Sequence, residues 1–108
     1  MILEVLRDVS PEKLVLAHMG SNRNYTEAEE LLCGQNVYLD TAFSITELSD
    51  EDFVRMARKH GTDKVLFATD VPWTDQSDCV RKLKSCGLTP EEQQMIFCDN
   101  AKKLLGLA

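Results

Sequence analysis

Three polar residues, His18, Asp40 and Asp70, each stand at the end of a short apolar run. His18 closes Leu14-Val-Leu-Ala17, Asp40 closes Val37-Tyr-Leu39, and Asp70 follows Val65-Leu-Phe-Ala68 and Thr69. An imidazole and two carboxylates are groups that can move protons or hold a cation. Carboxylates at the carboxyl ends of buried parallel strands are where α/β folds place their chemistry. Each residue also has a plainer reading. Asp70 could be an ordinary turn aspartate, and Asp40 reads more simply as a strand-end cap for the following loop than as a carboxylate supporting a site.

The elements that must position these residues can be read from the pattern. Residues 14–17, 37–39 and 65–68 are short, apolar and rich in β-formers, as buried strands are. Val71-Pro72 stops the last of them, because proline cannot continue a central ladder. Between them lie helical patterns. Ile2, Val5, Leu6 and Val9 open the chain at helical spacing, and Ser10-Pro11 ends that stretch. Thr26 with Glu29 forms a capping-box pattern for a helix carrying Ala28, Leu31 and Leu32, closed at Gly34. A loop of about eight residues after Asp40 leads to a helix from Ser49 or Asp50, with Phe53, Met56, Ala57 and His60 inward and Gly61 at its end. Cys79, Val80, Leu83 and Cys86 outline the next helix, stopped by Gly87. Thr89-Pro-Glu-Glu92 then opens a helix through Met95, Ile96 and Phe97. Asn100 can cap one last turn, Ala101 to Leu105, before Gly106. Such alternation predicts parallel strands joined by right-handed crossovers, which puts His18, Asp40 and Asp70 on one rim.

Composition narrows the classes. The 108 residues suit a single domain with a modest core, and 44% hydrophobic with 28% charged residues argues against disorder. Twelve basic against eighteen acidic residues give a net charge of −6, with no Lys/Arg cluster, which speaks against nucleic acid or an anionic membrane as partner. No run approaches the roughly 18 apolar residues of a membrane span, and the amino terminus lacks a signal-peptide pattern. The four cysteines contain no C-x-x-C pair, and Cys79 and Cys86 lie two helical turns apart, too far to bridge each other. Reduced thiols in a cytoplasmic protein are the expectation, and the spacings do not suit a cysteine zinc site.

Four stretches taken together carry a specific resemblance: Leu-Val-Leu-Ala-His-Met-Gly20, Val-Tyr-Leu-Asp-Thr-Ala42, Lys59-His-Gly-Thr-Asp-Lys-Val-Leu-Phe-Ala-Thr-Asp-Val-Pro-Trp73 and Asp99-Asn-Ala-Lys-Lys-Leu-Leu-Gly-Leu107. In this order and spacing the sequence resembles the metal-dependent hydrolases of the amidohydrolase superfamily, closest to the amidohydrolase-related branch that also contains decarboxylases. The resemblance runs from about Glu12 to Leu107. It implies an α/β fold comprising the last three βα units of a (β/α)8 TIM barrel, with helices on one face of the sheet. Residues 1–108 would then be the carboxyl-terminal part of that barrel, since a complete one needs about 250 residues.

The same resemblance implies roles. His18 corresponds to a histidine that ligates metal or faces the substrate and the attacking water. Asp70 corresponds to the aspartate that touches the metal and serves as general base, and Trp73 to part of a substrate wall. The implied cofactor is a divalent metal, zinc by expectation, in the intact barrel, and the implied partner is a small-molecule substrate. Neutral imidazole suits such an ion, and water bound to it has a pKa lowered towards about 7, within reach of a carboxylate.

Departures from the family pattern are equally informative. The His-x-His of the first strand is absent, as is the ligand from the middle strands; Ser21 and Ala68 replace glycines. A catalytic zinc normally has three protein ligands and a water, whereas this sequence offers His18 and Asp70. His60, beside a helix-ending glycine, reads as a capping or packing residue, and Asn22 and Arg23, which could touch an acidic substrate, read more simply as solvated loop. The expectation is therefore a hydrolase or decarboxylase stretch that holds metal weakly and is inactive alone. The alternative is a free-standing, non-catalytic scaffold or oligomerisation remnant; a His-x-His upstream in the reading frame would separate the two. Two open strand edges and an uncovered inner sheet face, formed by Leu14, Leu16, Val65 and Phe67 or their alternates, predict self-association. A few hundred Å2 of exposed apolar surface costs several kcal/mol at roughly 25 cal/mol per Å2.

Overall fold

In the computed structural model, residues 2–8, 13–21 and 24–107 are described, with Ile2 described by its backbone alone. The parts of the sequence reading that fall on Val9, Ser10-Pro11, Glu12, Asn22 and Arg23 lie outside these residues. Three strands, β1 (Val15–Leu16), β2 (Tyr38–Asp40) and β3 (Val65–Leu66), form one sheet in the order β1-β2-β3, all parallel. Val15 is paired with Tyr38, Leu16 with Leu39, Leu39 with Val65 and Asp40 with Leu66. The strands are shorter than the apolar runs suggest, and β2 begins one residue later and includes Asp40. The reason is visible at the end of β2. The Thr41 amide donates to the Leu66 carbonyl at 3.0 Å, but the next link is made by a side chain, the Thr41 hydroxyl on Ala68.

Helices α1 (Ile2–Asp8), α2 (Tyr25–Leu31), α3 (Ser44–Glu47), α4 (Asp50–His60) and α5 (Gln76–Ser85) alternate with the strands. A continuous terminal helix follows, built of α6 (Pro90–Gln94), a π-helical stretch (Met95–Asp99) and α7 (Asn100–Leu104). α4 forms where the sequence places it. Ser49 accepts the Asp52 amide, Gly61 ends the helix at φ 112°, and Phe53, Met56, Ala57 and His60 are its buried face. Thr89 and Glu92 make the full reciprocal capping box at α6.

Three expectations are corrected. α2 starts at Tyr25 after Asn24, so Thr26 lies inside the helix and does not cap it. The loop after Asp40 contains the extra helix α3. Asn100 sits in helical backbone within the terminal helix and caps nothing there. Its side-chain amide instead donates to Thr62 O at 2.6 Å and Val65 O at 2.8 Å.

The helices cover one face of the sheet. Val37, Leu39 and Val65 are buried in one core with Met19, Ile45, Phe53, Met56, Leu83 and Ile96, and Leu14, Leu16 and Phe67 pack against it. The residues facing the other way are the alternates. Val15 is 40% exposed, and Tyr38, Asp40 and Leu66 are half-buried. Leu14, Leu16, Val65 and Phe67 thus belong under the helices and not to the uncovered inner face. Arg55 forks onto Glu29 and Arg58 onto Glu92, tying α4 to α2 and to α6. Each guanidinium holds its glutamate below the usual carboxylate range.

One edge of the sheet is occupied. In a parallel ladder alternate residues point their backbone groups to opposite sides. Leu66 serves β2, so Val65 and Phe67 face outward. Asn100 takes the Val65 carbonyl, and the Phe67 amide donates to Ile96 O at 3.0 Å. The π-helical stretch makes this possible. Asn100 N bonds back to Met95 O, and the wider turn leaves the Ile96 carbonyl for the strand.

Candidate functional site

The carboxyl ends of β1, β2 and β3 each break into a turn at a residue with positive φ. His18 has φ 56°, Phe43 61° and Asp70 64°; Met19, at 53°, follows His18 into the core. L-residues adopt this region rarely and at some cost, and such backbone gathers at functional sites. Gly20 (φ 86°) completes the His18 turn in a conformation that L side chains rarely adopt, and a Cβ there would meet Leu32 Cδ1 at 2.7 Å, so a larger residue would also make Leu32 shift.

The turns bring His18 and Asp70 together. His18 Nε2 lies 3.4 Å from Asp70 Oδ2, with the side chains 29% and 33% exposed, so the pair is open to a small molecule from the rim. Asp40 lies beneath as a backbone clamp, its Oδ1 accepting the His18 amide at 3.0 Å and the Ala42 amide at 3.1 Å. It therefore caps the loop, as the plainer reading held, and also fixes the end of β1. Thr41 is fully buried, and its Oγ1 both donates to Ala68 O and accepts from Ala68 N, steadying the chain two residues before Asp70.

Trp73 closes a tight turn by donating its amide to Asp70 O at 2.9 Å, and its side chain is 76% exposed. It lines an open groove with Val71, Pro72, Thr74 and Asp75, and the Val71–Pro72 peptide is cis. A separate cleft of about 350 Å3 between α1 and α2, lined by Leu3, Gly20, Ser21, Leu31 and Leu32, includes neither His18 nor Asp70. His60 is far from this chemistry. It is buried, its Nδ1 accepts from Gly34 N at 3.0 Å, and its Nε2 pairs with Val37 O at 2.7 Å. Burial pushes its pKa down, and the acceptor role of Nδ1 requires the neutral ring. The packing role expected of it is the one found. The cysteines are free thiols, and burial raises the pKa of Cys33 and Cys86.

The donor set can be tested against a divalent ion. Two ligands at about 2.0–2.1 Å from one ion, at a near-tetrahedral angle, lie roughly 3.3 Å apart. The 3.4 Å separation of His18 Nε2 and Asp70 Oδ2 fits one such edge. No cluster of three His, Cys, Asp or Glu able to hold a metal exists among the described residues. The pair fits a metal as part of a coordination shell and not as the whole of one.

The amidohydrolase family profile matches residues 3–107. The chain belongs to the amidohydrolase family. Its fold is that of part of the barrel found in solved amidohydrolase-like proteins. One is a candidate 2-pyrone-4,6-dicarboxylic acid hydrolase from Pseudomonas putida, 16% identical, with a TM-score of 0.72 over 97% of this chain and 46% of that one. A second is a 5-carboxyvanillate decarboxylase from Novosphingobium aromaticivorans, complexed with manganese and 4-hydroxy-3-methoxy-5-nitrobenzoic acid. It is 16% identical, with a TM-score of 0.71 over 95% of this chain and 35% of that one. A third is a dihydroxybenzoic acid decarboxylase from Polaromonas with bound manganese and 2-nitroresorcinol, 19% identical, with a TM-score of 0.67 over 87% and 33%. No curated protein matches the sequence. This amidohydrolase-family chain thus spans between a third and a half of the length of these neighbours. At such identities they speak to the fold alone. No helix among the described residues is long and apolar enough to cross a membrane.

Two residues at this rim were given no role by the sequence reading, although Thr41 lies in one of the four stretches that carry the resemblance. Phe43 and Thr41 both lie in Asp-Thr-Ala-Phe-Ser44, directly after a strand end. For Phe43 that position was the available signal.

Proposed function

We propose that residues 1–108 are the carboxyl-terminal part of a metal-dependent, amidohydrolase-related barrel that activates water to hydrolyse an amide, ester or lactone bond in a small molecule. The observation that supports this reading is the 3.4 Å approach of His18 Nε2 to Asp70 Oδ2 on the rim where parallel strands present their chemistry. His18 offers the Nε2 lone pair of a neutral imidazole as ligand or towards the water. Asp70 would offer one carboxylate oxygen to such an ion and would take a proton from the water as general base. A divalent ion held there would supply charge that lowers the pKa of its water towards about 7. Trp73 stands on the Asp70 turn as one wall of the substrate groove. Further ligands come from chain outside these residues, so the 108-residue chain binds metal weakly and is inactive alone. A second reading, decarboxylation at the same pair, is favoured by the likeness to decarboxylases that contain manganese.

Titration of the 108-residue chain with Mn2+ and Zn2+, followed by NMR of the two histidine rings, tests the site. The expected result is perturbation of His18 and not of His60 at high micromolar to millimolar metal, weakened about tenfold by Asp70→Asn. A His18 ring indifferent to millimolar metal overturns the reading. Submicromolar affinity abolished by Asp70→Asn would instead mean a further ligand within the chain.

A further inference from the structure

Phe43 meets the site from the end of β2, and no role described so far uses it. We propose that Phe43 is a positioning residue of the His18–Asp70 site, its ring holding the imidazole so that Nε2 faces Asp70. The inference rests on reading that pair as a site.

The first observation is the backbone of Phe43. It has φ 61° and ψ −45°, and Ser44 N donates to Ala42 O at 2.5 Å across it. This is a γ-turn of the strained, positive-φ kind, which is rare for any residue and costly for one with a Cβ. The turn is held from all sides. Asp40 Oδ1 takes the Ala42 amide, Ser44 Oγ donates to Thr41 O at 3.2 Å, and the Ile45 amide donates to Thr41 O at 3.1 Å. Ala42 and Ser44, on either side of Phe43, are buried.

The second observation is what the turn achieves. It carries the phenyl ring across to β1, where its centroid lies 5.9 Å from that of His18 with the planes tilted by 41°. Three strand ends therefore converge, each through a left-handed residue: Phe43 against His18, and His18 against Asp70. The same Asp40 oxygen that fixes the Ala42 amide also fixes the His18 amide. Backbone and ring of His18 are thus set by one segment, Asp40 to Phe43.

The third consideration is chemical. Histidines at metal sites are commonly oriented by a hydrogen bond to their second nitrogen. Here an aromatic ring contacts the imidazole. The face of a phenyl ring is electron-rich and its edge electron-poor, so tilted ring pairs at centroid distances of about 4.5–7 Å attract and prefer a fixed mutual orientation.

The test uses the 108-residue chain with Mn2+ and Zn2+ as probes, and the variants Phe43→Leu and Phe43→Tyr. In the unaltered chain, NOEs between the Phe43 and His18 rings are expected, and their absence overturns the proposal even if no variant folds. Phe43→Leu should remove the ring-current shift on His18 and weaken metal binding there about tenfold. Phe43→Tyr should restore both, and His60 should stay unchanged throughout. Unaltered His18 shifts and metal affinity in Phe43→Leu, with His18 still responding to metal in the parent chain, would sink the role of Phe43 and leave the site intact. A parent chain whose His18 ignores metal would remove the site itself.

Discussion

The Thr41 hydroxyl stands in for a strand, donating to the Ala68 carbonyl at 2.8 Å and accepting the Ala68 amide at 2.9 Å. Regular pairing of β2 with β3 ends at Asp40 and Leu66, so this one side chain carries the register across to the segment that bears Asp70. Thr41→Val keeps the shape and removes both bonds, leaving two backbone groups of Ala68 without their partner. A loss of about 1–3 kcal/mol is expected in urea unfolding, together with weaker metal perturbation of His18 as Asp70 loosens. An unchanged unfolding midpoint would show that water replaces the hydroxyl.

His60 makes the stability of the chain depend on pH. Burial lowers its folded pKa below the ordinary histidine value of about 6.5, so the unfolded chain takes up a proton before the folded one does. Its contribution is complete above the unfolded pKa and is lost as pH falls through the folded pKa. Between pH 7.5 and 5.5 the unfolding free energy should decline, by no more than about 1.4 kcal/mol per pH unit from this one group. His60→Gln should flatten that slope. A slope unaltered by the substitution would assign the dependence to other groups.

Asn100 guards the outer edge of β3. Asn100→Ala strips the Thr62 and Val65 carbonyls of their donor and should cost about 2 kcal/mol. It should also raise the tendency to aggregate, because the freed carbonyl lies on a strand edge. Thermal unfolding with light scattering reads both effects, and a destabilised variant that stays monomeric would show that Ile96 and Phe67 protect the edge unaided.

With β3 guarded, association of the chain with itself should run through β1. Among the described residues that strand has a strand neighbour on one side only, and Val15 is exposed on the face away from the helices. Sedimentation at micromolar concentration should show dimers or larger species, and Val15→Lys should shift them towards monomer. A compact monomer that unfolds cooperatively would count against the partial-barrel reading of function and favour a free-standing domain.

The sequence by itself determined the elements whose signals are local. The spacing of Phe53, Met56, Ala57 and His60, the caps at Ser49 and Thr89, and the order of three apolar runs each depend on residues within a few positions of one another. It also placed His18 and Asp70 on one rim, because parallel strands put their carboxyl ends on the same side. Only the tertiary structure decided which alternate residues face the helices. The strand runs are apolar on both faces, so a period of two has nothing to mark. Only the fold joined Thr41 to Ala68, Asn100 to Val65 and His60 to Gly34, which are 27, 35 and 26 residues apart. A hydroxyl, amide or imidazole carries no sign in the sequence of which distant backbone group it will satisfy. The γ-turn at Phe43 was hidden for the same reason: its strain is held by Asp40, Thr41 and the buried neighbours on either side, not by any preference of phenylalanine for that conformation.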